Sequence, residues 1–176
     1  MPQQHYLNYA RPISETYLDI ARVLDCPTKE CLPYPLQKYP KPENSPDRFV
    51  ILNPSGSKSG MRFRDADLDS VVRHIILLDP LFFIVIPAMH ENYPQLAERY
   101  RSNRMVKVLP PTDSIKGILP WIQFAKLIIT PDTALVHIAC AYRIPLVAIY
   151  ANDMALFTQW QPYHLTETLV IHSNES

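Results

Sequence analysis

The chain has 176 residues, enough for one sizeable core with appendages. Its 17 Lys and Arg balance 17 Asp and Glu, which argues against a polyanion-binding surface and disfavours nucleic acid as a main partner. No apolar run reaches the roughly 18 residues of a membrane span, the first residues lack the apolar core of a signal peptide, and Cys26, Cys31 and Cys140 fit no metal pattern.

An odd cysteine count without a secretory signal favours a reducing cytoplasm. Proline is abundant, at 18, with six between residues 27 and 46, and glycine is scarce, at 3. Gly56 and Gly60 share one loop, which suggests a backbone that turns tightly or approaches a ligand there.

Residues 1–10 have no periodicity and read as a loose lead-in. Over 14–24, Tyr17, Leu18, Ile20, Ala21 and Leu24 recur at helical spacing, with Ser14 as the cap. Residues 27–46 form a semi-extended proline-rich connector, so 1–47 is expected to be a helix and connector and 48–176 the folded domain. From there the pattern is regular. A strand over 49–53 leads through a loop, 54–63, to a helix over 65–78 with Leu68, Val71, Val72, Ile75 and Ile76 on one face. A strand over 81–86, a helix over 91–101 and a strand over 105–109 follow. The helix expected over 114–124 is kinked or divided by Pro120. A buried strand over 127–130, a helix of small apolar residues over 134–142 and a strand over 146–150 come next, with a last strand or edge at 169–172. This alternation predicts an α/β fold, a doubly wound Rossmann-like parallel sheet with its ligand crevice at the carboxyl ends of the strands.

Four loops then converge on one rim. The first, 53–63, offers Ser55, Gly56, Lys58 and Arg62, the parts of a phosphate cradle or of a solvated basic loop. It is no P-loop, because Ser57 stands where a glycine must precede the lysine. The second presents Glu91, either a ribose acceptor or a first-turn glutamate favoured by the helix dipole. The third, around Thr112, is a base-side wall or a helix cap. The fourth, after Thr130, places Asp132 at an expected helix N-cap, with Thr133 and His137 on one helical face. Asp132 would repel a diphosphate directly and suits the turn or a sugar hydroxyl, and His137 reads as a core residue or a functional one. The helix start itself is a seat for phosphate. Common hydrolase and zinc motifs are missing, and nothing calls for a metal or a cofactor.

Thr130-Pro-Asp-Thr-Ala-Leu-Val-His-Ile-Ala, followed by Ile144-Pro-Leu-Val-Ala-Ile-Tyr, resembles the donor half of glycosyltransferase family 9, the bacterial ADP-heptose:lipopolysaccharide heptosyltransferases. The loop Leu52-Asn-Pro-Ser-Gly, Pro87 with Glu91, and Gln159-Trp-Gln-Pro-Tyr are similar too. The resemblance implies a nucleotide-sugar domain equivalent to the C-terminal half of a GT-B enzyme. Phosphate contacts would come from Asp132, Thr133, Ala134 and His137, with Ser55 and Gly56 in the first loop. Lys58 or Arg62 would neutralise the diphosphate, Glu91 would hold the ribose, and Thr112 would stand near the adenine. Ala134 departs from the family's usual glycine, and its Cβ restricts close approach.

The function so implied is inverting transfer from an ADP-sugar donor to a lipopolysaccharide or other cell-surface glycan acceptor. The acceptor half and its catalytic base are expected in a missing or separate domain. That setting suggests the cytoplasm, with peripheral association at the inner face of the inner membrane. A non-catalytic nucleotide-binding module or transferase remnant is the rival reading, and a relative of sugar-nucleotide epimerases a third.

Overall fold

A computed structural model of the chain describes residues 12–24, 37–56, 62–162 and 166–173. The lead-in, much of the connector and the tip of the first loop, Lys58 included, lie outside the described residues.

Six parallel strands form one sheet: β1 (Phe49–Leu52), β2 (Phe83–Pro87), β3 (Val106–Leu109), β4 (Leu127–Pro131), β5 (Leu146–Ala151) and β6 (Thr168–Ser173). Their spatial order is β3-β2-β1-β4-β5-β6, the doubly wound order expected of a Rossmann-like sheet. The register pairs Ile51 with Val85 on one side and Ile128 on the other, so β1 is central and all four of its residues are buried.

Because side chains alternate across a strand, the sheet feeds two cores. Val50, Leu52, Ile84 and Ile86 pack under Leu68 and Val72 of α2 (Asp65–Leu78) and Leu96 and Tyr100 of α3 (Tyr93–Tyr100). On the opposite face Phe49, Ile51, Val85, Ile128 and Leu146 meet Ile122 of α4 (Leu119–Phe124) and Val136, Ala139 and Cys140 of α5 (Ala134–Tyr142). Cys140 is thus a buried small hydrophobe. Each fully buried Ile or Leu contributes about 1.5–3 kcal/mol, which is why these near-continuous apolar runs settle as interior strands.

Element boundaries shift where local hydrogen bonds compete. The N-terminal helix, α1 (Ile13–Val23), has Pro12 at its cap position, not Ser14, consistent with the extended backbone of Pro12 (φ −54°, ψ 134°). β2 starts at Phe83 rather than 81, because the Asp79 carboxylate accepts from the Leu81 amide at 2.9 Å and holds a turn there. α3 starts at Tyr93, after a turn in which the Tyr93 amide donates to the Met89 carbonyl, so Glu91 lies in that turn and not on the helix. Pro120 divides its helix as expected: a 3-10 turn over Ile115–Gly117 precedes α4, whose first turn tolerates the missing amide. An additional helix, α6 (Met154–Trp160), starts at Asp153, whose carboxylate accepts from the amides of Ala155 and Leu156, each at 3.0 Å.

The described part of the connector lies along the domain. The Tyr39 amide donates to the Gln123 side chain at 2.9 Å, the Tyr142 hydroxyl to the Gln37 carbonyl at 2.9 Å, and the Lys107 ammonium to the Asn44 carbonyl at 2.8 Å.

Candidate functional site

The sheet changes winding direction between β1 and β4, and such a switch point opens a crevice at the strands' carboxyl ends. Here that crevice is a cleft of about 870 Å³. Asn53, Ser55 and Gly56 line it from the loop after β1, residues Pro87 to Glu91 from the loop after β2, and Leu109 to Ser114 from the loop after β3. Thr133, Ala134 and Leu135 supply the wall from the start of α5, and Pro42, Glu43 and Asn44 of the connector close the far side.

Buried side chains hold those loops in place. Asn53, Asn92 and Thr130 are the buried polar residues among those described, at 5 %, 2 % and 0 % exposure, and all three lie on this edge. The Asn53 amide group donates to Thr130 Oγ1 and to the Ser55 carbonyl, each at 2.9 Å, and its Oδ1 accepts from the Ser55 amide at 3.3 Å. Thr130 Oγ1 lies 3.1 Å from Thr133 Oγ1, which accepts from the Leu135 amide at 3.2 Å. Asn92 Oδ1 accepts from the Met89 amide at 2.7 Å, and its Nδ2 donates to Ser55 Oγ at 2.8 Å. Unpaired, each such buried group would cost about 1–3 kcal/mol.

Thr133, not Asp132, is therefore the N-cap of α5. The Asp132 amide donates to the Ile149 carbonyl at 2.9 Å, which ties Asp132 to the end of the sheet and leaves the next residue to begin the helix. The positive end of α5, with the early amides that a helix leaves unsatisfied, still opens on the cleft at Thr133 and Ala134.

Of the residues singled out from the sequence, Ser55, Gly56, Glu91, Thr112, Thr133 and Ala134 come together around the cleft. Asp132, His137 and Arg62 are not among its lining residues, and Lys58 lies outside the described residues. His137 turns to α6, its ring 6.3 Å from that of Trp160 in an edge-to-face contact. Burial lowers its pKa and the nearby Asp132 carboxylate opposes the shift, so the ring is neutral at pH 7. Thr112 lines the wall with its hydroxyl donating to the Ser114 carbonyl at 2.8 Å. Gly117 packs beneath it: a Cβ there would stand 2.6 Å from Thr112 Cγ2.

The sequence reading missed Asn53, Asn92 and Thr130, and also Lys107 and Trp121. Lys107 Nζ lies 5.0 Å from the Trp121 ring centre, and both residues line the cleft near the connector. A polar residue closing an apolar strand, as Asn53 and Thr130 do, was the one available signal.

A second hollow, of about 590 Å³, lies between α2 and α3 toward the amino edge of the sheet. An ion-pair cluster forms part of its wall. Arg99 pairs with Asp65 at 2.6 Å and with Asp69, which also accepts from the Tyr100 hydroxyl at 2.8 Å. The Arg99 hydrogen bond holds the Asp69 carboxyl well below its usual range, at about 2. That arrangement joins two helices. Among the described residues no helix is long and apolar enough to cross a membrane, and no group of three or more His, Cys, Asp or Glu could hold a metal ion.

The family model for glycosyltransferase family 9 (heptosyltransferase) matches residues 5–176. Solved structures of similar fold include the E. coli heptosyltransferase WaaC with ADP, at 18% identity and a TM-score of 0.59, covering 76% of this chain and 40% of that one. The E. coli ADP-heptose lps heptosyltransferase II matches at 20% identity and 0.57, covering 72% and 39%. A glycosyl transferase family 9 protein from Veillonella parvula matches at 13% identity and 0.70, covering 96% and 51%. The chain thus spans about 39–51% of the length of these structures. Comparison with curated proteins gave no match.

Proposed function

The chain belongs to glycosyltransferase family 9, and from that membership we propose that its cleft holds a nucleoside diphosphate sugar, an ADP-sugar of the heptose type. The observation that carries the reading is the convergence of Ser55, Gly56, Glu91, Thr133 and Ala134 on one cleft at the switch point. A hydroxyl, a flexible backbone and a helix start suit phosphate oxygens. A carboxylate on the neighbouring loop suits ribose hydroxyls, and the Thr112 loop gives a wall for the base. Asp132 and His137, at the edge of this arrangement, would act on the sugar side or through the shape of the turn. A cation from the first loop, Lys58 or Arg62, would complete the charge balance.

The wider proposal is inverting sugar transfer to a lipopolysaccharide-type acceptor at the inner face of the membrane, with residues 48–176 as the donor half. The diphosphate leaving group would be stabilised by the α5 amides, the helix dipole and the loop cation. A general base outside the donor cleft would take the proton of the acceptor hydroxyl. The WaaC structure solved with ADP supports the choice of nucleotide.

Calorimetric titration of the full chain with ADP, UDP and GDP tests the donor site. ADP is expected to bind tightest, with Glu91→Gln weakening it roughly tenfold, about 1.4 kcal/mol. Heat of binding from none of the three, at ligand concentrations up to about 1 mM, would overturn the donor-site reading.

A further inference from the structure

We infer that Asn92 is a positioning residue for the diphosphate, acting by fixing the Ser55 hydroxyl as a hydrogen-bond donor into the cleft. The inference rests on the donor-site reading above and adds a residue that does not touch the ligand.

The direction of each hydrogen bond around Ser55 is set by backbone groups. The Met89 N–H can only donate, so the oxygen it meets at 2.7 Å must be Asn92 Oδ1. The Asn92 side chain thereby has one orientation, with its NH₂ facing Ser55 Oγ at 2.8 Å. An NH₂ group has no lone pair to offer, so Ser55 Oγ accepts, and its single proton must go elsewhere. The Asn53 side chain is fixed in the same way from the other side. It accepts the Ser55 N–H and donates to the Ser55 carbonyl, which holds the serine backbone but leaves the hydroxyl proton alone. Among the described residues no acceptor takes that proton, and Ser55 lines the cleft.

A hydroxyl polarised by an incoming N–H bond and facing open space is a directed donor, which fits an anionic oxygen and disfavours a ligand N–H or ammonium. Burial adds to this. Asn92 is 2 % exposed, so water does not compete for its amide, and hydrogen bonds reinforce one another in such surroundings. The cost of orienting Ser55 is met when the chain folds, not when the ligand binds.

The test is a double-mutant cycle on the full chain, with ADP and adenosine affinities measured by calorimetry for the unmodified protein, Ser55→Ala, Asn92→Ala and the pair. Each single change is expected to weaken ADP roughly five- to twentyfold, as for loss of a hydrogen bond to a charged group, with adenosine within about twofold. The pair should bind ADP within about twofold of Ser55→Ala alone, because Asn92 acts through that hydroxyl. Effects that multiply, or an Asn92→Ala loss equal for ADP and adenosine, would overturn the inference. Absence of ADP binding by the unmodified chain would overturn the donor-site reading and this inference with it.

If Asn92→Ala does not melt cooperatively, Asn92→Asp decides. It keeps an oxygen for the Met89 amide but turns the donor toward Ser55 into an acceptor. ADP binding should fall at least as far as in Asn92→Ala, because the Ser55 hydroxyl then gives its proton to the carboxylate and not to the ligand, and the fall should vanish in the Ser55→Ala background. Unchanged ADP binding, or a loss undiminished in the Ser55→Ala background, would sink the proposal.

Discussion

His137 shows how one side chain can sit in a motif and yet answer to a different neighbour. Four residues after Thr133, it shares a helical face with the cleft wall, yet its ring lies against Trp160. Burial is the larger influence on its pKa and lowers it, and Asp132 only partly opposes that. The folded protein therefore binds a proton at this ring less readily than the unfolded chain does. A histidine of depressed pKa contributes stability that is fully present above the unfolded value, about 6.5, and is lost as pH falls from there through the lower folded value. The His137→Phe variant, which keeps a ring against Trp160, should lose less of its melting temperature between about pH 7 and pH 5 than the unmodified protein. Equal slopes in thermal melts across that range would show that His137 does not titrate on unfolding.

Among the elements, α5 repays attention at its ends more than along its length. Its apolar run was legible, because strand, helix and strand in close succession leave few other places for Leu135, Val136 and Ala139. The caps were not. Asp132 and Thr133 are both good N-cap types, and the choice between them turns on the Asp132 amide pairing across to β5, a contact fixed only by strand order. At the other end Arg143 takes the left-handed conformation at φ 57°, and the Ile144 amide reaches back to the Ala139 carbonyl at 2.9 Å. That six-to-one bond is the signature of a Schellman ending, where glycine is the usual residue. A chain with 3 glycines has an arginine instead. An L side chain in this conformation is strained by about 1–2 kcal/mol, part of which the greater freedom of unfolded glycine offsets. Arg143→Gly should thus raise stability by roughly 0.5–1 kcal/mol, read as a higher urea midpoint at unchanged slope. A lower midpoint would mean that the exposed arginine makes a compensating contact. α6 escaped the sequence reading for a related reason: seven residues with no buried side chain give too short an apolar pattern, and only Asp153 marked its start.

On the scale of the whole molecule, the sheet was readable and the polar bonds across it were not. Interior strands announce themselves as apolar runs, but Asn53 reaching Thr130, or Ser55 reaching Asn92, joins residues 77 and 37 positions apart. Only the order of the strands brings them together. The connector is a further case, since a proline-rich segment without a core pattern reads as a tether. In the folded chain residues 37–47 are fastened at Tyr39, Asn44 and Gln37 to α4, β3 and α5 respectively, and Pro42 to Asn44 form part of the cleft wall. Lys107 is shared between the two, bonded to the Asn44 carbonyl and poised over Trp121. Truncation can separate tether from wall. Removing residues 1–36 should leave ADP affinity within about twofold, whereas removing residues 1–47 exposes the Trp121 side of the cleft and loses the bonds to Gln123, Lys107 and Tyr142. At roughly 0.5–1.5 kcal/mol for each net hydrogen bond, the shorter chain should lose about 2–4 kcal/mol of stability, and adenosine should weaken along with ADP. A chain starting at residue 48 that melts and binds like the one starting at residue 37 would make the connector a tether after all, and the base-side wall would then be complete without it.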